Sequence, residues 1–281
     1  TIRDVPAENP YPHIAVSGRD SMINAEKWTD FSGDRWVEKE IPEAKAAGVV
    51  VIASIGHTQV EVENWVGKVA AAGADIIELV SYTEDTIIPM VQLAREITDK
   101  PILVKISPNW QDPVQAALTC LELGADGITA MDSIGPVLRI DIETRMPLVG
   151  GPKGFGWLTG SAIKPIALRY VAEIALQTNK PIVGLGGVMN AEDAVEMMMA
   201  GAVAVGVCTA PMLKGLPYLG VLNTRIAALA GNLGFSSVAE MRGAALKYLS
   251  TEEDMEQFEF QYNPVICNDC RRCVIVCPYQ A

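Results

Sequence analysis

Four segments of this chain carry one pattern: AAGVVVIAS (46–54), AAGADIIELVS (71–81), ELGADGITAMD (122–132) and MAGAVAVGVCT (199–209). Each joins a helix end, a glycine and an apolar run. Glycine takes the left-handed backbone of a helix C-cap at little cost, so it marks where the helix stops. Two further apolar runs, 101–107 and 181–187, open on proline, which is tolerated at the first position of a strand. Amphipathic stretches fill the gaps: VEVENWVGKVAAAG, TIIPMVQLAREIT, DPVQAALTCLELG, PIALRYVAEIALQ and AEDAVEMMMAG. Continuous apolar strands alternating with such helices predict an α/β fold, a parallel sheet covered by helices. Strand starts fall about 25 residues apart, apart from one long interval between Gly127 and Pro181, which fits a (β/α)8 TIM barrel. Residues 1–47 offer only the short run 14–16, so six such strands are present. A closed barrel of this kind needs eight. The first two are therefore expected to lie before Thr1.

The last fifteen residues hold Cys267, Cys270, Cys273 and Cys277, followed at once by Pro278. The run CNDCRRCVIVCP is C-x2-C-x2-C-x3-C-P, the spacing of bacterial [4Fe–4S] sites. Two-residue gaps let a loop wrap one cube with three thiolates, and the proline stops a regular helix or ladder at the fourth sulfur. A disulfide framework suits short secreted chains instead, and zinc sites use other arrangements. In two-cluster ferredoxins the fourth cysteine reaches the other cluster, so two clusters and a continuation past Ala281 are expected. The domain division that follows is a barrel over 1–255, incomplete at its N-terminus, and a ferredoxin-like iron–sulfur segment over 256–281, incomplete at its C-terminus.

Composition narrows the partners. A net charge of −12 repels nucleic-acid backbones. No apolar run reaches the ~18 residues of a membrane helix, so no membrane insertion is expected. The run 48–55 reads as a buried strand. Cys120 and Cys208, in apolar surroundings, read as buried thiols in a reducing, cytoplasmic setting.

Sites in such barrels gather at the C-terminal ends of the strands. Those ends carry Ser54-Ile55-Gly56-His57, Val80-Ser81-Tyr82, Lys105, Met131-Asp132-Ser133, Gly186-Gly187 and Cys208-Thr209. Lys105 interrupts an apolar strand, where an unpaired ammonium is costly to bury. It calls for an anionic partner: the N1/O2 edge of a reduced flavin, or a barrel carboxylate such as Glu78. Gly186-Gly187 precedes a helix starting near Asn190, where backbone amides can cradle a phosphate, with Cys208-Thr209 on the next strand end. Together with the iron–sulfur motif, these features suggest FMN.

The stretches SMINAEKW, GADIIELVS, PILVKISPN, GADGITAMDS, GSAIKPIALR, PIVGLGGVMNAEDA and GAVAVGVCTA carry a resemblance. The chain resembles the dihydroorotate dehydrogenase and dihydropyrimidine dehydrogenase family of FMN barrels over nearly its whole length. One branch of that family adds ferredoxin-type clusters after the barrel. The opening TIRDVPAENPYP matches the segment just after the family's second strand. The resemblance implies FMN contacts from Asn24, Lys105, Gly186, Gly187 and Thr209, with Ser161 nearby; Asp132 and Cys208 join them at the same strand ends.

Three positions depart from the family pattern. Where the fourth strand should end in an asparagine and a catalytic cysteine, this chain reads ELVSYTED. Val80 stands for the asparagine, and Tyr82 or Thr83 for the cysteine. Asp132 stands where an asparagine is expected. Tyr82, Thr83 and His57 are therefore the candidate proton-transfer residues. The implied function is a flavin and iron–sulfur oxidoreductase acting on CH–CH bonds of a small unsaturated ring compound, with a changed substrate. The alternative is an electron-transfer or scaffold subunit with a silent barrel. Flavin-dependent RNA modification conflicts with the acidic charge. No G-x-G-x-x-G run is present, so electrons are expected to come from or go to an outside NAD(P)H-oxidising flavoprotein subunit or a ferredoxin, in an oligomer or heteromeric complex.

Overall fold

The glycine-capped repeats form one six-stranded parallel sheet in a computed structural model that describes residues 1–249 and 264–273. A hairpin precedes it, β1 (Ile14–Gly18) with β2 (Ser21–Asn24). Two short helices follow, α1 (Gly33–Arg35) and α2 (Ile41–Ala46), either side of a π turn at Trp36–Glu40. The repeats then give β3 (Ile52–Gly56), α3 (Gln59–Ala72), β4 (Ile76–Val80), α4 (Glu84–Ile97) and β5 (Ile102–Lys105). Next come α5 (Pro113–Glu122), β6 (Gly127–Ala130), β7 (Ile134–Val137) and β8 (Gly156–Gly160). The chain continues through α6 (Lys164–Gln177), β9 (Ile182–Leu185), α7 (Ala191–Met199) and β10 (Ala204–Gly206). It then runs through α8 (Thr209–Lys214), α9 (Tyr218–Asn232) and α10 (Val238–Met241).

The parallel sheet runs β10-β9-β6-β5-β4-β3, a stretch of six strands in the (β/α)8 TIM-barrel architecture. Its caps explain its period. Gly73 and Gly201 end their helices at φ 112° and 121°, where a side chain would be strained. The core lies between strands and helices: Ile77, Leu79, Ile102, Ile128 and Ile182 pack with Val62, Val66, Met90 and Ile174, all fully buried. Pairing of Val80 with Lys105 levels the strand ends, so residues just beyond them face one mouth.

Two expectations about burial need correction. The run 48–55 is not buried throughout, since Val49 and Val50 are 52% and 70% exposed. The strand begins only at Ile52 and forms the sheet edge, with a single bridge from Ile2 to Ile55 on its outer side. Cys120 is buried as expected, but Cys208 is exposed, because β10 ends at Gly206 and releases it toward the mouth.

A second sheet fills the regions that lacked apolar runs. It is antiparallel, ordered β1-β2-β8-β7, and pairs Asn24 with Trp157 across the chain. The chain divides into two compact units, Thr1–Leu246 and Lys247–Ala281. In the second unit Cys267, Cys270 and Cys273 are exposed on a stretch that turns through left-handed Asp269 and Arg271, at φ 52° and 56°. Cys277 lies outside the described residues. Among the described residues, no helix is long and apolar enough to cross a membrane.

Candidate functional site

A cavity of about 1020 Å³ opens at the C-terminal ends of the parallel strands, with one wall from β2 and β8. Its floor is an ion pair. Lys105 ends β5, and its Nζ lies 2.9 Å from Oδ1 of Asp132, just past β6. Asp132 also accepts the Ser133 backbone N–H at 2.8 Å. Burial works to raise the Asp132 pKa, but the Lys105 charge and these hydrogen bonds outweigh it and hold the carboxyl below its ordinary range. Burial likewise opposes the lysine charge, and Asp132 with Glu78 overcomes it and raises the Lys105 pKa. The carboxylate bound to Lys105 is thus Asp132, not Glu78. The Glu78 carboxylate on β4 instead accepts the Thr129 hydroxyl of β6 at 2.7 Å, reaching across the intervening β5.

The opposite end is built for close backbone approach. Gly186 and Gly187 line the cavity at φ 121° and 81°. A Cβ on Gly187 would sit 2.6 Å from the Lys164 Cβ, so the double turn accepts no side chain there. Asn190 then caps α7, accepting from the Asp193 N–H at 2.9 Å. Thr209 opens α8 beside Cys208, its hydroxyl donating to Thr159 at 3.0 Å. Asn24 lines the same space and donates to the Trp157 carbonyl at 3.4 Å. A glycine turn at one end, a lysine at the other and this volume fit a phosphorylated flavin together with a small ring compound. Ser161 is not among the lining residues; its hydroxyl meets Ser21 at 3.2 Å.

The third wall is aromatic. The rings of His57 and Tyr82 stack with centroids 4.0 Å apart and planes 11° apart, and Trp28 meets His57 edge-on at 6.4 Å. The His57 backbone N–H donates to Glu61, whose other oxygen is 2.5 Å from Arg3, and Arg3 covers the Trp28 ring. His57 is buried, yet neither ring nitrogen has a hydrogen-bond partner among the described residues. Burial, aided by the Arg3 charge, lowers its pKa from 6.5 to about 4, so it is neutral at pH 7. Burial raises the Tyr82 pKa, keeping the phenol protonated. Thr83, the third candidate, is not in the lining: its hydroxyl meets Thr86 at 2.7 Å where α4 begins.

This histidine ties stability to pH. Its folded pKa is depressed, so the unfolded chain binds the proton first as pH falls below 6.5. At ~1.4 kcal/mol per pKa unit, the fold should lose about 3 kcal/mol between pH 6.5 and about 4, then level off. Denaturant melts across that range should show the loss in the unmodified chain and a flatter profile in His57→Gln. Parallel profiles would remove His57 from the account.

The sequence reading missed Trp28, Trp157 and Thr159, along with the acidic rim of Glu8, Glu26 and Asp30, all of which line the cavity. Trp28 ends the SMINAEKW stretch and could have been found there; the β8 residues carried no signal.

Residues 9–229 match the family model for dihydroorotate dehydrogenase, and residues 260–281 match a 4Fe–4S binding domain. Curated relatives agree. The dihydroorotate dehydrogenase B (NAD(+)) catalytic subunit of Citrifermentans bemidjiense is 35% identical over 226 residues, 74% of this chain and 72% of the relative. The protein of the same name from Geotalea uraniireducens is 32% identical over 255 residues, 85% of this chain and 82% of its own length. That from Methanothermobacter thermautotrophicus is 40% identical over 156 residues, 56% of this chain and 51% of its own. The chain belongs to the dihydroorotate dehydrogenase family. It is a flavin oxidoreductase acting on CH–CH bonds, with FMN and a [4Fe–4S] segment as its redox equipment.

Proposed function

We propose that this chain passes electrons between FMN in the cavity and [4Fe–4S] clusters on its C-terminal cysteines while it oxidises or reduces a small ring compound other than dihydroorotate. The observation behind the changed substrate is the stacked His57–Tyr82 pair at the mouth, beside an apolar Val80 and without Thr83. Gly186, Gly187, Cys208 and Thr209 would hold the phosphate end, and Asn24, Lys105 and Asp132 the ring end. FMN supplies the two-electron transfer when bound. Tyr82 is the proton donor at the substrate and its phenolate takes the proton back in the reverse direction, while the neutral His57 ring orients the phenol by stacking on it.

In this reading residues 1–255 form the flavin part and 256–281 the cluster part. Cys267, Cys270 and Cys273 would bind one cluster, and Cys277 a second. The relatives are named as catalytic subunits of an NAD(+) enzyme. That supports a heteromeric complex in the cytoplasm, with an NAD(P)H-oxidising flavoprotein or a ferredoxin as the outside redox partner. The test is an anaerobic screen of saturated and unsaturated ring compounds against the reconstituted complete polypeptide. Absorbance should show the flavin and then the clusters changing redox state with at least one compound. Iron content near eight per chain indicates two clusters, near four only one. A flavin reduced by dithionite but inert to every ring compound would leave only an electron-transfer subunit.

A further inference from the structure

Lys105 is the cation at the cavity floor, and it is already occupied. Asp132 holds its ammonium at 2.9 Å, and the Ser133 N–H fixes that carboxylate at 2.8 Å. Glu78, on the neighbouring strand, adds a second negative charge whose field also reaches the lysine. The remaining charged side chains of the lining are Glu8, Glu26 and Asp30 against Lys27, so the cavity holds no surplus of positive charge. A lone ammonium beside a flavin would stabilise the electron-rich reduced ring by Coulomb attraction. A carboxylate in contact with that ammonium turns a point charge into a dipole, whose field falls off faster with distance.

We propose that Asp132 holds the potential of the bound flavin low, by ion-pairing Lys105 and cancelling its charge at the flavin ring. This rests on the reading that FMN lies in the cavity with its ring toward Lys105. A low-potential flavin matches the potentials that ferredoxin-type clusters can reach, so Asp132 would tune the electron path rather than merely brace two strand ends. A purely structural bridge would leave the potential unmoved.

Asp132→Asn keeps the size of the side chain and an acceptor for the Ser133 N–H, and frees the full lysine charge. Anaerobic potentiometry of the FMN-loaded full chain should show the reduction equilibrium of the flavin favoured at least tenfold in Asp132→Asn, about 30 mV for a two-electron couple. Lys105→Met should move the potential the opposite way. A shift in Lys105→Met with none in Asp132→Asn overturns the proposal and leaves the placement of the ring intact. No shift in either variant, with FMN still bound, means that the ring lies elsewhere, and both fail.

Should Asp132→Asn lose its flavin, the unmodified holoenzyme decides. With the lysine compensated, the flavin should take up two protons with its two electrons around pH 7. Glu78, His57, Cys208 and the Thr1 amino group are the other groups whose fields reach the pair. His57 is already neutral there, and partial desolvation at the cavity wall keeps Cys208 a thiol, so neither masks the count. Uptake of a single proton, the mark of an anionic reduced ring facing an uncompensated lysine, overturns the proposal.

Discussion

Tyr82→Phe should slow turnover by about 10²–10⁴-fold, the usual loss of a positioned acid, with FMN content unchanged. Phenylalanine keeps the 4.0 Å stack on His57 and removes only the hydroxyl. Partial desolvation raises the Tyr82 pKa, so the phenol stays protonated near neutrality. His57, with its pKa lowered to about 4, is a base and not an acid near neutrality. His57→Ala should therefore spare the donor while removing the stacked ring that orients it, a smaller effect. Rapid-mixing measurement of the flavin half-reaction, with the ring compound that emerges from the screen, checks both. An unchanged rate in Tyr82→Phe would move proton delivery to water or to another side chain.

Dihydroorotate oxidation and uracil reduction should both be slower by a comparable ~10²–10⁴-fold than a site with a positioned acid achieves. Val80 lines the cavity but offers no hydrogen bond to a planar pyrimidine, and each unmade buried bond adds ~1–3 kcal/mol. Thr83 is turned to Thr86 and is not in the lining. Dihydroorotate brings a carboxylate to a rim of Glu8, Glu26 and Asp30, where like charges repel. Steady-state assays with each compound, at saturating co-substrate, provide the test. Turnover at an ordinary ~1 per second or more would mean that His57 and Tyr82 serve the pyrimidine itself, and the changed substrate would be abandoned.

The parallel strands were readable because their centres are largely buried and spelled in near-continuous apolar residues between a glycine cap or a proline and the next helix. The antiparallel sheet was not. IAVSG, SMIN, IGPV and GWLTG are short and mixed in polarity, and their pairing joins residues far apart, as Asn24 with Trp157. Lys105 stood out as a charge inside an apolar strand, yet its partner could not be chosen. Glu78 and Asp132 are equally acidic on paper, and only the strand register brings Asp132 within 2.9 Å. Single-residue offsets explain the rest: Tyr82 faces the cavity while Thr83 begins a helix, and Gly160 lines it while Ser161 does not. Cys208 looked buried because it continues an apolar run, but the strand stops two residues earlier, at Gly206.

The most direct measurement is the affinity of the flavin-free chain for FMN and for riboflavin, in the unmodified protein and in Cys208→Asp. Cys208 is exposed, lines the cavity and precedes α8, where an aspartate is a good cap, so the fold should tolerate the change. The account predicts one FMN per chain, held roughly 10–100-fold more tightly than riboflavin through charge-assisted bonds to the phosphate. A carboxylate at position 208 should erase that preference by repelling the phosphate and leave riboflavin binding as it was. Equal affinity for the two flavins in the unmodified chain, or a preference that survives Cys208→Asp, would contradict the placement of the phosphate at Gly186, Gly187 and Thr209, and with it the orientation of the whole site.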